Sequence, residues 1–190
     1  MAQTLAPGLD RDRLVAAAFA QLEEDGLDRL SMRRLASRLG VQAPALYWHI
    51  GDKAELLGLM AREIYAAAYA DAPIAGHWQD WLRRFGRALR SSFAARRDGA
   101  RLCAVARPPT PTDPAAHADR IAAPLTALGL DESRALLCQA AVISFALGWE
   151  SFEANGPMRD FLREIMDFDA SFEKGLDALV RGLATAREET

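Results

Sequence analysis

Apolar residues in this chain recur at spacings of three and four from Leu14 to Leu183, and no segment sustains a two-residue alternation. That pattern buries one stripe of a helix rather than one face of a strand, so the expected fold class is all-α. Glycine and proline supply the punctuation. A first helix, from about Asp10 to Asp25, places Leu14, Val15, Ala18, Phe19 and Leu22 on one stripe and stops at Gly26. Ser31 is a candidate N-cap for a second helix that stops near Gly40, and Pro44 suits the first turn of a very short third carrying Leu46, Tyr47, Trp48 and His49. Asp52 with Glu55 three residues on resembles a capping box and opens a fourth helix running towards Ala70, with Leu56, Leu57, Met60 and Ile64 along one side.

The second half continues in the same way. His77 to Arg97 reads as a fifth helix with Trp78, Trp81, Leu82, Phe85 and Leu89 as its inner stripe. Pro108, Pro109, Pro111 and Pro114 exclude regular helix and imply a loop or lid, after which a helix resumes from about Ala115 to Leu128. Asp131 caps the next, where only Gln139 and Ser144 interrupt apolar or small residues between Leu136 and Trp149, so burial on more than one side is expected. The last helix, about Ser171 to Arg187, presents Phe172, Leu176, Leu179, Val180 and Leu183 as a seam. Two such apolar helices near the C-terminus point to a homodimer.

With 190 residues, 51% of them hydrophobic and 26% charged, the chain can bury a real core, as one body or as a small head on a larger one. A net charge of −3 excludes a global basic bias, so any nucleic-acid contact must be local. Arg29, Arg33, Arg34, Arg38 and Lys53 lie in one stretch with Asp52 as its sole acid, which suits either a solvated helix face or a phosphate-contacting surface. Cys103 and Cys138 fit neither a CxxC metal pair nor a disulfide framework, and neither metal nor cofactor is expected. There is no N-terminal apolar h-region and no uninterrupted apolar stretch of the ~20 residues a membrane span needs. The expected location is cytoplasmic.

Residues 31–50 fit a helix-turn-helix, in which one helix crosses the DNA backbone and a second puts its N-terminal residues into the major groove. Leu35, Ala36 and Leu39 face inward, Gly40 makes the turn, and Val41, Leu46 and Ile50 plug a three-helix core. Residues 30–61, LSMRRLASRLGVQAPALYWHIGDKAELLGLMA, resemble the DNA-binding signature of the tetracycline-repressor (TetR) family, with ALYWHIGDK the most diagnostic part. Similarity extends more weakly through WQDWLRRF, RRDGARLCAVARP and IMDFDASFEKGLDALVRG. The resemblance implies a head at residues 1–53 that binds double-stranded operator DNA, and a helical bundle at 54–190 that dimerises and encloses a ligand pocket.

Position by position, it implies that Arg33 meets phosphate or a base edge, that Pro44 and Tyr47 line the groove surface, and that Trp48, His49 and Lys53 touch backbone. Those residue types suit the roles; the competing reading is that Tyr47 or Trp48 simply packs the core. Tetracycline repressors carry polar base-reading side chains where this chain has Ala43 and Ala45, and a hydroxyl residue where it has Met32. Alanine can touch a thymine methyl but makes no directional hydrogen bond, so a different operator is implied.

For the body, the resemblance implies a ligand chamber opened or closed by the Pro-rich segment. Trp81, Phe85, Leu89, Phe145 and Trp149 are its candidate walls and Cys103, Arg107 and His117 its polar points, with ordinary core packing as the competing reading. The family's magnesium-binding His is replaced by Cys103, a poor ligand for that ion, and a second chelate-contacting His falls around Ala68 or Tyr69. The implied effector is therefore an apolar or aromatic small molecule rather than magnesium–tetracycline. Two rivals stay open: an enzyme pairing Cys103 or Cys138 with His77 or His117, though no nucleophile signature surrounds them, and a helical protein-binding module, which would show no salt-dependent duplex affinity.

Overall fold

The structure, a computed structural model, describes residues 9–107, 114–154 and 156–185. Among them run ten α-helices and no strand: α1 (Arg11–Asp25), α2 (Met32–Leu39), α3 (Ala43–Leu46), α4 (Lys53–Ala70), α5 (Trp78–Ala94), α6 (Gly99–Val105), α7 (Pro114–Thr126), α8 (Glu132–Ala154), α9 (Gly156–Arg163) and α10 (Phe168–Thr185). The anticipated caps are in place. Asp10, Ser31, Asp52 and Asp131 each accept a hydrogen bond from the backbone N–H three residues on, satisfying a donor that a helix start leaves unpaired.

Helices α1 to α3 and the start of α4 form a small head. Leu14, Ala18, Leu22, Leu35, Leu46, Ile50 and Leu56 close its core, all of them buried. Helix α4 then continues into the body, where it packs on α5 and α6. Helix α5 lies against α4, α8 and α10, and α7 lies along α8. Arg83, Arg87 and Arg90 on successive turns of α5 pair with Asp177, Glu173 and Asp169, a ladder that sets α5 antiparallel to α10.

Several boundaries differ from the periodicity reading. The third helix ends at Leu46, and Tyr47, Trp48 and His49 form a turn, because His49 and Ile50 both donate to the single Leu46 carbonyl. Helix α5 stops at Ala94 rather than Arg97: Ala95 caps it, the Arg96 amide donates to the Phe93 carbonyl in a tighter turn, and Asp98, in a left-handed conformation (φ 55°), stands at the start of α6. Short α6 and α9 have no apolar stripe long enough to stand out in the sequence. Helix α8 extends over 23 residues, but one protomer buries mainly Ala135, Cys138, Gln139, Val142 and Ala146, leaving the opposite side open. By length and composition alone it is the helix here that would span a membrane. Pro114 opens α7; Pro108, Pro109 and Pro111, and with them the expected lid, lie outside the described residues, as does the expected end of α10 at Arg187.

Candidate nucleic-acid interface and ligand site

In the head, Gly40 ends α2 in a left-handed conformation (φ 67°) that favours glycine, and the Val41 amide donates back to the Ala36 carbonyl at 3.0 Å. The chain thereby turns sharply into α3. Leu46 and Ile50, 0% and 1% exposed, anchor this short segment from beneath. What remains outside is Pro44, Tyr47 at 51% exposure and Trp48 at 86%. Ala43, Ala45 and His49 are half-buried at its edges. Met32 is different: it starts the inward stripe of α2, with Leu35 and Ala36, and is buried in the head.

Charges around this surface divide into used and unused. Arg34 pairs with Asp25 at 2.9 Å and Arg38 with Glu24, so both are committed to α1. Arg11 donates to the His49 carbonyl at 3.0 Å and to the Glu55 carboxylate at 3.2 Å, while Glu55 also accepts from the Gly51 amide. These bonds fix the exit from the exposed turn. Arg29, Arg33 and Lys53 are exposed and make no ion pair with any of the described residues; of these, Arg33 and Lys53 flank the turn in sequence and are available to phosphate.

In the body the candidate aromatics fall into two groups. Trp81 and Phe85, both 0% exposed, stack at 4.8 Å, and Tyr69 from α4 lies over Phe85 at 4.7 Å. Leu89 is equally buried on the same helix. Phe145 and Trp149 instead join Phe168 and Phe172 between α8 and α10, and no ring contact links the two groups among the described residues. Cys103 is buried, which pushes its thiol up to about 12, so the free thiol rests protonated at neutral pH. Arg107 is exposed, and His117 is half-buried with its Nδ1 3.3 Å from the Arg120 guanidinium. A separate cleft of about 730 Å³ between α5, α8, α9 and α10 is lined by charged groups, Arg87, Arg90, Glu150 and Glu153 among them, and by none of the expected ligand residues.

Residues 14–60 match the family described as bacterial regulatory proteins, tetR family, and residues 71–158 match the tetracyclin repressor-like C-terminal domain. The tetracycline repressor protein class A from transposon 1721 of Escherichia coli is 33% identical, covering 94% of this chain and 92% of its own. This chain belongs to the tetR family. A possible TetR family transcriptional regulator from Streptomyces coelicolor A3(2) superposes with a TM-score of 0.76 at 33% identity, over 94% of this chain and 100% of that one. TetR (class A) in complex with 5a,6-anhydrotetracycline and magnesium gives 0.71 at 31%, over 94% and 100%. TetR family repressors bind operator DNA as dimers and are released by ligands.

Within this tetR-family fold, head and body meet at a corner whose role sequence reasoning did not assign. The Arg97 guanidinium donates to the Glu23 and Glu24 carbonyls at 3.0 and 2.8 Å, satisfying the end of α1. Arg101 grips Asp28 with two bonds of 2.9 and 2.6 Å, and Arg96 lies over the Phe19 ring at 4.5 Å. The body holds a second feature missed in the same way. Gln139, 0% exposed, accepts from the Tyr69 hydroxyl at 2.7 Å and donates to the Ile121 carbonyl at 2.6 Å, tying α4, α8 and α7 together. The available signal was Gln139 itself, a polar interruption of an apolar helix.

Proposed function

We propose that this chain is a ligand-responsive transcriptional repressor that binds a palindromic operator as a homodimer and is released by a small-molecule effector. The observation that carries the reading is Trp48, a large aromatic left 86% exposed beside Tyr47 on a turn pinned from beneath by Leu46 and Ile50. Folding gains nothing from exposing that ring, whereas a flat amphipathic side chain suits a DNA groove. Arg33 and Lys53 flank it, while Pro44, His49 and the methyls of Ala43 and Ala45 complete the contact surface; Met32 acts from below, by packing α2.

The head comprises residues 1–53 and the body 54–190, with α4 as the lever between them, its Leu56 reaching back from the first turn to close the head core. Dimerisation uses the apolar face that α8 leaves open, where Leu137 is 59% exposed. Effector bound among Trp81, Phe85, Leu89 and Cys103 tilts α4 and moves the twin heads from the ~34–36 Å separation of successive major grooves. Such a ligand must bind the DNA-incompetent state more tightly, since equal affinity shifts nothing. The protein is not an enzyme, a reading supported by the protonated, buried Cys103, and it works in the cytoplasm with its operator. The deciding experiment selects bound duplexes from the DNA flanking its coding region, then measures affinity against salt. A shallow salt slope and no selected duplex would remove this reading in favour of a protein-binding module.

A further inference from the structure

Tyr69 sits in the last turn of α4 with its ring on Phe85, tilted 30° at 4.7 Å, and Trp81 beyond at 6.3 Å. Its hydroxyl donates to Gln139 Oε1. The Gln139 amide has no freedom to flip, because its Nε2 faces the Ile121 carbonyl, which only accepts. Oε1 is therefore an obligate acceptor, met by the hydroxyl of a ring that lies on Phe85. Were this position only filling space, an apolar side chain would do so without the cost of burying an amide. Burial holds the Tyr69 phenol up to about 12, so it remains a donor at any physiological pH. Yet Tyr69 is only half-buried and lies one residue from the end of its helix, so its ring has a route out.

We propose that Tyr69 is a resident occupant of the effector site, and that the effector is a planar aromatic molecule bearing a hydrogen-bond donor. It takes Tyr69's place on the Phe85 ring and the bond to Gln139 Oε1. This rests on the ligand-responsive reading above. Displacing Tyr69 breaks the bond that ties the end of α4 to α8, which is how occupation of the site reaches the head. The remaining tie there, Trp81 Nε1 to the Ala72 carbonyl at 2.9 Å, belongs to the turn after the helix.

The test uses the full-length chain. Tyr69→Ala should bind para-cresol, the missing side chain as a free molecule, about tenfold or more tightly than its methyl ether or toluene, as a hydrogen bond in a buried site implies. Adding Gln139→Leu should erase that preference. Tyr69→Phe, which removes the wild-type bond and leaves only the ring to be displaced, covers the case in which the alanine variant fails to fold; it should bind both naphthol and naphthalene more tightly than wild type does while preferring naphthol, and adding Gln139→Leu should erase that preference. Equal binding of donor and non-donor compounds, or of neither, overturns the proposal even if another compound releases DNA. Donor-selective, Gln139-dependent binding that leaves operator affinity untouched would instead keep the site chemistry and sink the repressor switch.

Discussion

The Leu27 amide donates to the Asp98 carboxylate at 2.8 Å, joining the turn after α1 to the corner between α5 and α6 across 71 residues of chain. Asp98 holds a left-handed conformation that Asp and Asn tolerate and Ala resists. Asp98→Ala should therefore lose both the bond and the backbone fit, destabilising the protein by about 2 kcal/mol or more in urea unfolding. Asp98→Asn, which keeps an acceptor and the conformation, should lose clearly less. Equal losses would mean the bond adds little.

Next to it, Gly99 has no room for a side chain. A Cβ there would lie 2.3 Å from the Phe93 carbonyl oxygen, a backbone atom that no rotamer change can move. Gly99→Ala should shift the corner and cost roughly 2–3 kcal/mol, visible as a lower thermal midpoint. An unchanged midpoint would show that the corner yields freely.

Arg33 and Lys53 should report on DNA without reporting on folding. Each Ala variant should keep the wild-type thermal midpoint, weaken binding to the selected duplex, and reduce the salt slope by about 1. Arg34→Ala and Arg38→Ala remove side chains already paired with Asp25 and Glu24, so a smaller change in slope is expected. If all four variants gave the same slope, free and paired cations would not differ in their access to phosphate.

The head was legible in sequence because each local signal agreed with the fold: caps at Ser31 and Asp52, a turn at Gly40, and an inward stripe through Leu35, Ala36, Leu46 and Ile50. Met32 was not, since helix phase decides between groove and core at the first turn, and one residue of rotation separates them. In the body, the aromatic stripes announced burial but not whether rings face a ligand or one another. The Tyr69–Gln139 bond joins residues 70 apart, and the clamp of Arg97 and Asp98 on α1 joins residues 71 to 74 apart. Such pairings follow from tertiary packing and leave no periodic trace.

Glu150 should give the body a pH signature. Burial, and then the neighbouring Glu153, raise its carboxyl to about 7, and one of its oxygens is buried without a partner. The folded state thus binds a proton more readily than the unfolded chain, so stability falls as pH rises from the ordinary carboxylate range through about 7. Glu150→Gln should flatten stability across that window and make the protein more stable above it. Solvent screening of this half-buried group limits the gain to on the order of 1 kcal/mol. Urea midpoints at three pH values would check it, and an unaltered pH profile would show that Glu150 ionises normally.

The open side of α8 provides the sharpest test of assembly. Leu137 is 59% exposed and Phe152 51%, while Phe161 and Ile165 add 61% and 67% on and just after α9. An apolar surface of this kind on a DNA-binding protein needs a cover, and a twofold interface supplies it from a second copy of the same face. In such an interface one substitution acts twice, so Leu137→Glu buries two uncompensated charges near the symmetry axis. Light scattering should then show monomer, with helix content unchanged because the side chain touches nothing essential within its own protomer. Duplex affinity should fall about a hundredfold or more, since each head must then find its half-site without the tethered second. A variant that remained dimeric and kept full affinity would place the interface elsewhere and leave the exposed face of α8 without this explanation.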